Sequence, residues 1–158
     1  MGTRGYLVFV RHGKWYYTYV HFDAYDMWDN MEKEIRKMIN EHGPDYGTGL
    51  QWILEHFDKI RWITGENDPP TVEQIEELKE FSHNCNHAAL SNYVDGPYPW
   101  SWYELLHKNQ GTLEGILKAG YCISEYISDK REEMDYMQCV VNFDKLTIGD
   151  ERPFILKN

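Results

Sequence analysis

The hydrophobic period changes twice along this chain, and the order of those changes limits the fold more than any single motif. The chain opens with Gly5-Tyr-Leu-Val-Phe-Val10, turns through Arg11-His-Gly-Lys14, and continues with Trp15-Tyr-Tyr-Thr-Tyr-Val20-His-Phe22. Two runs of β-branched and aromatic residues around a glycine-containing turn predict a hairpin. Between Asp26 and Gly120 the apolar spacing is helical in segments separated by long loops around Gly65–Pro70 and Ser91–Pro99, and from Tyr121 the period of two returns. Strands kept apart from a run of helices predict an α+β fold. We expect an antiparallel sheet made from the N-terminal hairpin and the C-terminal strands, packed against a central run of about five helices. At 158 residues the chain fits a single domain spanning 1–158, long enough to bury a core.

The helices are announced by their starts. Asp26 caps a segment with Trp28, Met31, Ile35, Met38 and Ile39 on one face, stopped by Gly43-Pro44. Thr48 with Gln51 reads as a capping box ahead of Leu50, Ile53, Phe57 and Ile60. Thr71 with Gln74 repeats the device for Val72, Ile75, Leu78 and Phe81; Ser101 with Glu104 opens a shorter helix, and Thr112 opens one that ends at Gly120. Beyond it, Tyr121 to Ile127 and Tyr136 to Phe143 alternate as strands. Asn142-Phe-Asp144-Lys145 turns the chain into Leu146-Thr-Ile148, and Phe154-Ile-Leu156 supplies a short edge.

Charge narrows the partners. The formal net charge is −10, yet residues 1–22 hold Arg4, Arg11 and Lys14 with no acidic residue, so the remainder carries −13. An acidic body repels phosphate backbones, which argues against nucleic acid as a partner. No apolar run approaches the roughly 18 residues that span a bilayer, and no leader precedes a cleavage site. Met1-Gly2 does not extend into a myristoylation motif, because Tyr6 stands where Ser or Thr is needed. Cys85, Cys122 and Cys139 are too few and too scattered for a disulfide framework. The expected setting is intracellular, with reduced thiols and no membrane partner.

The leading candidate site is the open end of the hairpin. Antiparallel pairing brings Thr3 and Arg4 at the start of the first strand against His21, Asp23 and Tyr25 beyond the second. Arg4 offers a planar fork of donors that suits a carboxylate or phosphate, and His21 beside Asp23 is placed to titrate near neutrality. The same residue types would equally serve as an Arg4–Asp23 lock with Asp23 capping the turn into the first helix. His83-Asn-Cys85-Asn-His87 has the spacing of metal ligands but no evident fourth ligand, so no metal and no other cofactor is expected. Trp100-Ser-Trp102-Tyr103 reads either as a stacking platform or as core.

Met1-Gly-Thr-Arg-Gly5, the aromatic hairpin and His21-Phe-Asp23-Ala-Tyr25 together resemble a group of uncharacterised fungal and giant-virus (Marseillevirus-like) proteins. In that group the second strand ends in Asn/His-x-Asp-Ser-Tyr-Pro. An aromatic-alternating strand near the group's C-terminus ends in an acidic turn, similar to Tyr136-Met-Gln-Cys-Val-Val-Asn-Phe-Asp144. The likeness is sharp over the first 25 residues and looser near the C-terminus. Ala24 stands where the group has Ser, and Asp26 where it has Pro. The resemblance implies kinship, nearer to the viral branch, and no particular chemistry.

The expected function is that of a non-enzymatic structural or interaction protein of a large DNA virus, a virion or host-interaction component that self-associates. A homodimer follows from the second strand. Trp15, Tyr17, Tyr19 and His21 fall on one face and Tyr16, Thr18, Val20 and Phe22 on the other. One set lies against the helices and the other is left for an interface, with a host protein as a further possible partner. The alternative is a small hydrolase or amide-cleaving enzyme using the hairpin-end cluster. There Thr3 would attack with its own amine as base, but removing Met1 exposes Gly2 instead.

Overall fold

The computed structural model describes residues 5–20, 26–64, 70–78, 102, 106, 113–133, 136–149 and 152–154. The hairpin forms as the sequence implies. Strands β1 (Gly5–Arg11) and β2 (Lys14–Val20) pair antiparallel in the register Gly5↔Val20 to Arg11↔Lys14. The two-residue turn places His12 at φ 53° and Gly13 at φ 77°. Positive φ at both central residues is the turn geometry whose twist matches a hairpin's strands.

Four helices are described, against about five expected. They are α1 (Met27–Glu41), α2 (Tyr46–Asp58), α3 (Val72–Leu78) and α4 (Leu113–Ala119). The helix expected from Ser101 lies outside the described residues, apart from Trp102 and Leu106, which are helical and buried. In α1 the buried side chains are Met27, Met31, Ile35, Met38 and Ile39, and Asp26 sits at its N-cap without a side-chain hydrogen bond. The start of α2 differs from the sequence reading. Asp45 is the N-cap, its carboxylate accepting the Thr48 amide at 2.8 Å, so the helix begins three residues earlier than a Thr48 cap implies. That helix also ends before Ile60, which is buried in the following turn. The Thr71–Gln74 capping box closes both ways, at 2.8 and 3.2 Å. Gly120 ends α4 at φ 74°, as a residue without Cβ does most readily.

The C-terminal strands join the hairpin in one mixed sheet of order β5-β2-β1-β6-β7-β8, where β5 is Tyr126–Ser128, β6 Met137–Asn142, β7 Thr147–Ile148 and β8 Arg152–Pro153. The sheet is not wholly antiparallel, because β1 and β6 run parallel. The reason lies in the flanks of the hairpin. β5 adds antiparallel to β2 and so runs with β1, and β6 adds on the opposite side in that same direction. The chain therefore crosses one face of the hairpin between them. The Glu132 amide donates to the Tyr17 hydroxyl at 2.6 Å, which fixes Asp129–Glu133 on that face.

The single strand expected over Tyr121–Ile127 is broken. Its first half, β4 (Tyr121–Ile123), pairs parallel with β3 (Arg61–Ile63) in a separate two-stranded sheet, and only its second half enters the main sheet. Buried Ser124 makes the break. Its hydroxyl oxygen accepts the Tyr17 amide at 3.0 Å and donates to the Tyr126 carbonyl at 2.6 Å, standing in for a direct ladder bond. At the C-terminal end the edge strand is Arg152–Pro153 rather than Phe154–Leu156; Phe154 is buried and its amide donates to Leu146.

The helices cover one face of the main sheet. Leu7, Phe9, Cys139, Val141 and Phe143 pack there against Met31, Ile35, Met38, Ile53, Phe57 and Ile116. On the opposite face Tyr6, Val8, Val10, Tyr17 and Val140 form a second apolar cluster, with Trp15 and Tyr19 packed on it. The alternation read in the second strand thus holds for its described side chains.

Candidate functional site

Of the residues singled out by sequence, Trp102 is buried against Tyr121, and the hairpin-end cluster and the His/Cys pattern lie outside the described residues. Thr3, Arg4, His21, Asp23 and Tyr25 flank the Gly5↔Val20 end of the hairpin, and His83, Cys85 and His87 belong to the segment after α3. Among the described residues no three His, Cys, Asp or Glu side chains are placed to hold a metal ion. What the structure does assemble is at the other end of the hairpin and on its outer face.

At the turn end, Asp144 follows β6 and its two carboxylate oxygens accept the His12 amide at 2.7 Å and the Gly13 amide at 2.9 Å. Asp144 is itself held in a turn, because Asn142 Oδ1 accepts the Asp144 and Lys145 amides at 2.9 Å each. Arg11 makes a bidentate pair with Asp58 at the end of α2, both bonds at 2.9 Å, and His12 Nε2 stands 3.4 Å from the same carboxylate. The Arg11 hydrogen bonds are the largest cause holding the Asp58 carboxyl below the usual carboxylate range. These groups border an open pocket of about 360 Å³ whose wall includes Tyr16 and Trp62, stacked at 4.1 Å between ring centres.

Chemically this corner is a lock. The fork of Arg11 is satisfied by a carboxylate, and the two turn amides, which would otherwise suit an anion, are already occupied by Asp144. It ties the hairpin to α2 and to the β6–β7 turn. Sequence reasoning missed it because Arg11 and Asp58 are 47 residues apart, and His12 and Asp144 are 132 apart. A second long-range contact was equally hidden. Glu34 of α1 accepts the Leu113 and Glu114 amides at 3.3 and 3.4 Å, capping α4 from another helix, while burial raises its carboxyl.

The outer face carries tyrosines. Tyr6 packs edge-on against Tyr17 and Tyr19 at 6.1 and 5.5 Å, and Tyr136 lies 6.1 Å from Tyr6 and 5.9 Å from Tyr19. The Tyr6 hydroxyl donates to Glu125 at 2.7 Å, and burial together with that carboxylate raises its pKa. At the rim the burial stops. Tyr126 is 52% exposed, Ile127 41% and Tyr136 41%. Tyr126 and Ile127 belong to β5, which ends the sheet among the described residues; Tyr126 lies on the outer face beside Tyr17, and Ile127 on the helix face across from Tyr16.

No helix among the described residues is long and apolar enough to cross a membrane. No family model matches the chain, and no curated protein or solved structure is found similar to it.

Proposed function

We propose that this protein is a non-enzymatic interaction protein that self-associates through the aromatic rim of its sheet. The observation that carries the reading is the exposure of Tyr126 and Tyr136 beside an otherwise buried tyrosine cluster. Tyrosines at the margin of a well-packed patch supply large contact area at low entropic cost, and such residues anchor interfaces. The turn-end corner supports the same reading, since its charged groups satisfy one another and tie the hairpin to α2 and to the turn after β6. The resemblance of the N-terminal segment would place such a protein among the virion or host-interaction components of a large DNA virus.

Self-association predicts a definite mass. Static light scattering of the intact chain at micromolar concentration is expected to read about twice the 18.9 kDa of one chain, falling toward the monomer on dilution. A mass that stays at one chain through the micromolar range would refute the proposal.

A further inference from the structure

We propose that α3 is a cover that lifts from the β3–β4 sheet as a unit while the main sheet stays folded. The alternation in the small sheet gives it two apolar faces. Trp62 and Cys122 turn toward the helix-side core, whereas Ile63, Tyr121 and Ile123 turn away from it. On that far side they pack with Ala119 against Ile75 and Leu78 of α3 and against Trp102 and Leu106, forming a cluster of their own. Among the described residues no side chain of α3 enters either of the other two clusters.

The grip on α3 is small. A helix of seven residues is not stable alone in water, so α3 persists through its packing and its Thr71–Gln74 cap. It buries two side chains, Ile75 and Leu78. Its polar tie is Glu77, which accepts from Arg61 at 2.6 Å and from the Tyr121 hydroxyl at 3.3 Å. The Arg61 and Glu77 side chains are both about half exposed, and an ion pair at that exposure contributes little.

The helix-side core, by contrast, joins α1, α2 and α4 to β1 and β6. A unit that shares no core with the rest of a fold opens at lower free energy than the whole. Lifting α3 uncovers Tyr121, Ile123 and Ile63 and leaves the small sheet anchored, because Trp62 and Cys122 remain packed on the helix side.

Amide hydrogen exchange on the full chain tests the cover. Its reporter is the Ile75 amide, which donates to Thr71 at 3.0 Å, and the reference is the set of amides in β1, a central strand. Corrected for intrinsic rates, Ile75 is expected to exchange about tenfold or more faster than β1. Leu78→Ala removes a buried side chain from the cover and is expected to speed Ile75 by about 30-fold or more. An Ile75 rate that this substitution leaves unchanged would mean local fraying and overturn the proposal. Phe143→Ala is expected to speed β1 by about 100-fold or more and to leave Ile75 unchanged while it remains the faster of the two, since Phe143 stays packed when the cover is open. Acceleration of both by the same factor would show that α3 opens only with the whole fold, and overturns the proposal. Should Phe143→Ala fail to fold, the parent chain in low urea decides. Ile75 exchange is expected to rise less steeply with urea than β1 exchange, and equal slopes overturn the proposal.

Discussion

Replacing Gly49 by alanine is expected to lower the unfolding midpoint by roughly 6–12 °C, a loss of about 3 kcal/mol. A Cβ at Gly49 would meet the backbone carbonyl of Ile39, because α2 crosses α1 at backbone contact there. No side-chain rotation relieves a clash between a Cβ and a carbonyl, so the two helices must separate. Their separation disturbs Ile35, Ile39, Leu50 and Ile53, which the helix-side core shares. Gly47 in the same helix supplies the contrast. A Cβ there finds only Asp45 Oδ1 at 3.5 Å, an ordinary contact. Gly47→Ala is expected to leave stability unchanged or raise it by up to about 1 kcal/mol, through helix propensity. Thermal unfolding of the two variants side by side separates the helix crossing from any general effect of glycine replacement. Equal midpoints would show that the crossing is not close.

Phe143→Ala is expected to cost about 3–5 kcal/mol, the range for truncating a buried aromatic side chain. Phe143 follows β6 and is 1% exposed. Its ring lies 4.7 Å from Phe57 of α2, 6.1 Å from Phe9 of β1 and 5.7 Å from Phe154. One ring therefore joins the parallel β1–β6 seam to a helix and to the C-terminal edge. Its own amide donates to Val10 at 2.8 Å, so the backbone is pinned and the hole cannot close by a simple shift. Denaturant unfolding measures the loss. A cost under about 1 kcal/mol would mean that the seam does not depend on this ring.

The elements carried by local chemistry were legible in the sequence. The hairpin could be read from its alternation and its turn. The buried face of α1 followed from the spacing of Met31, Ile35, Met38 and Ile39, and the Thr71–Gln74 box marked the start of α3. The direction of β6 was not legible, because a period of two says which residues share a face and nothing about which way the strand runs. The break at Ser124 was hidden for a similar reason: the pattern continues unbroken through Tyr121–Ile127 while the partners change from β3 to β2. Asp45 and Thr48 are both competent caps three residues apart, and choosing between them depends on where Gly43 and Gly49 let α1 and α2 meet.

The candidate site divides in the same way. The tyrosine-rich outer face was legible as composition and alternation. The turn-end lock was not, since Asp58, Asp144 and Glu34 act across distances in sequence that no local pattern encodes. The five residues at the open end of the hairpin were chosen for their chemistry and lie outside the described residues, as does the proposed Arg4–Asp23 pair.

Light scattering of the parent beside Tyr126→Lys and Tyr136→Lys tests most directly whether the aromatic rim of the sheet is an interface, because both side chains are exposed next to the outer-face cluster. The account predicts that the parent reads about twice the 18.9 kDa of one chain at micromolar concentration and that each variant shifts toward the monomer with an unchanged unfolding midpoint. A parent that reads one chain throughout, or a parent dimer that both substitutions leave intact, would contradict it.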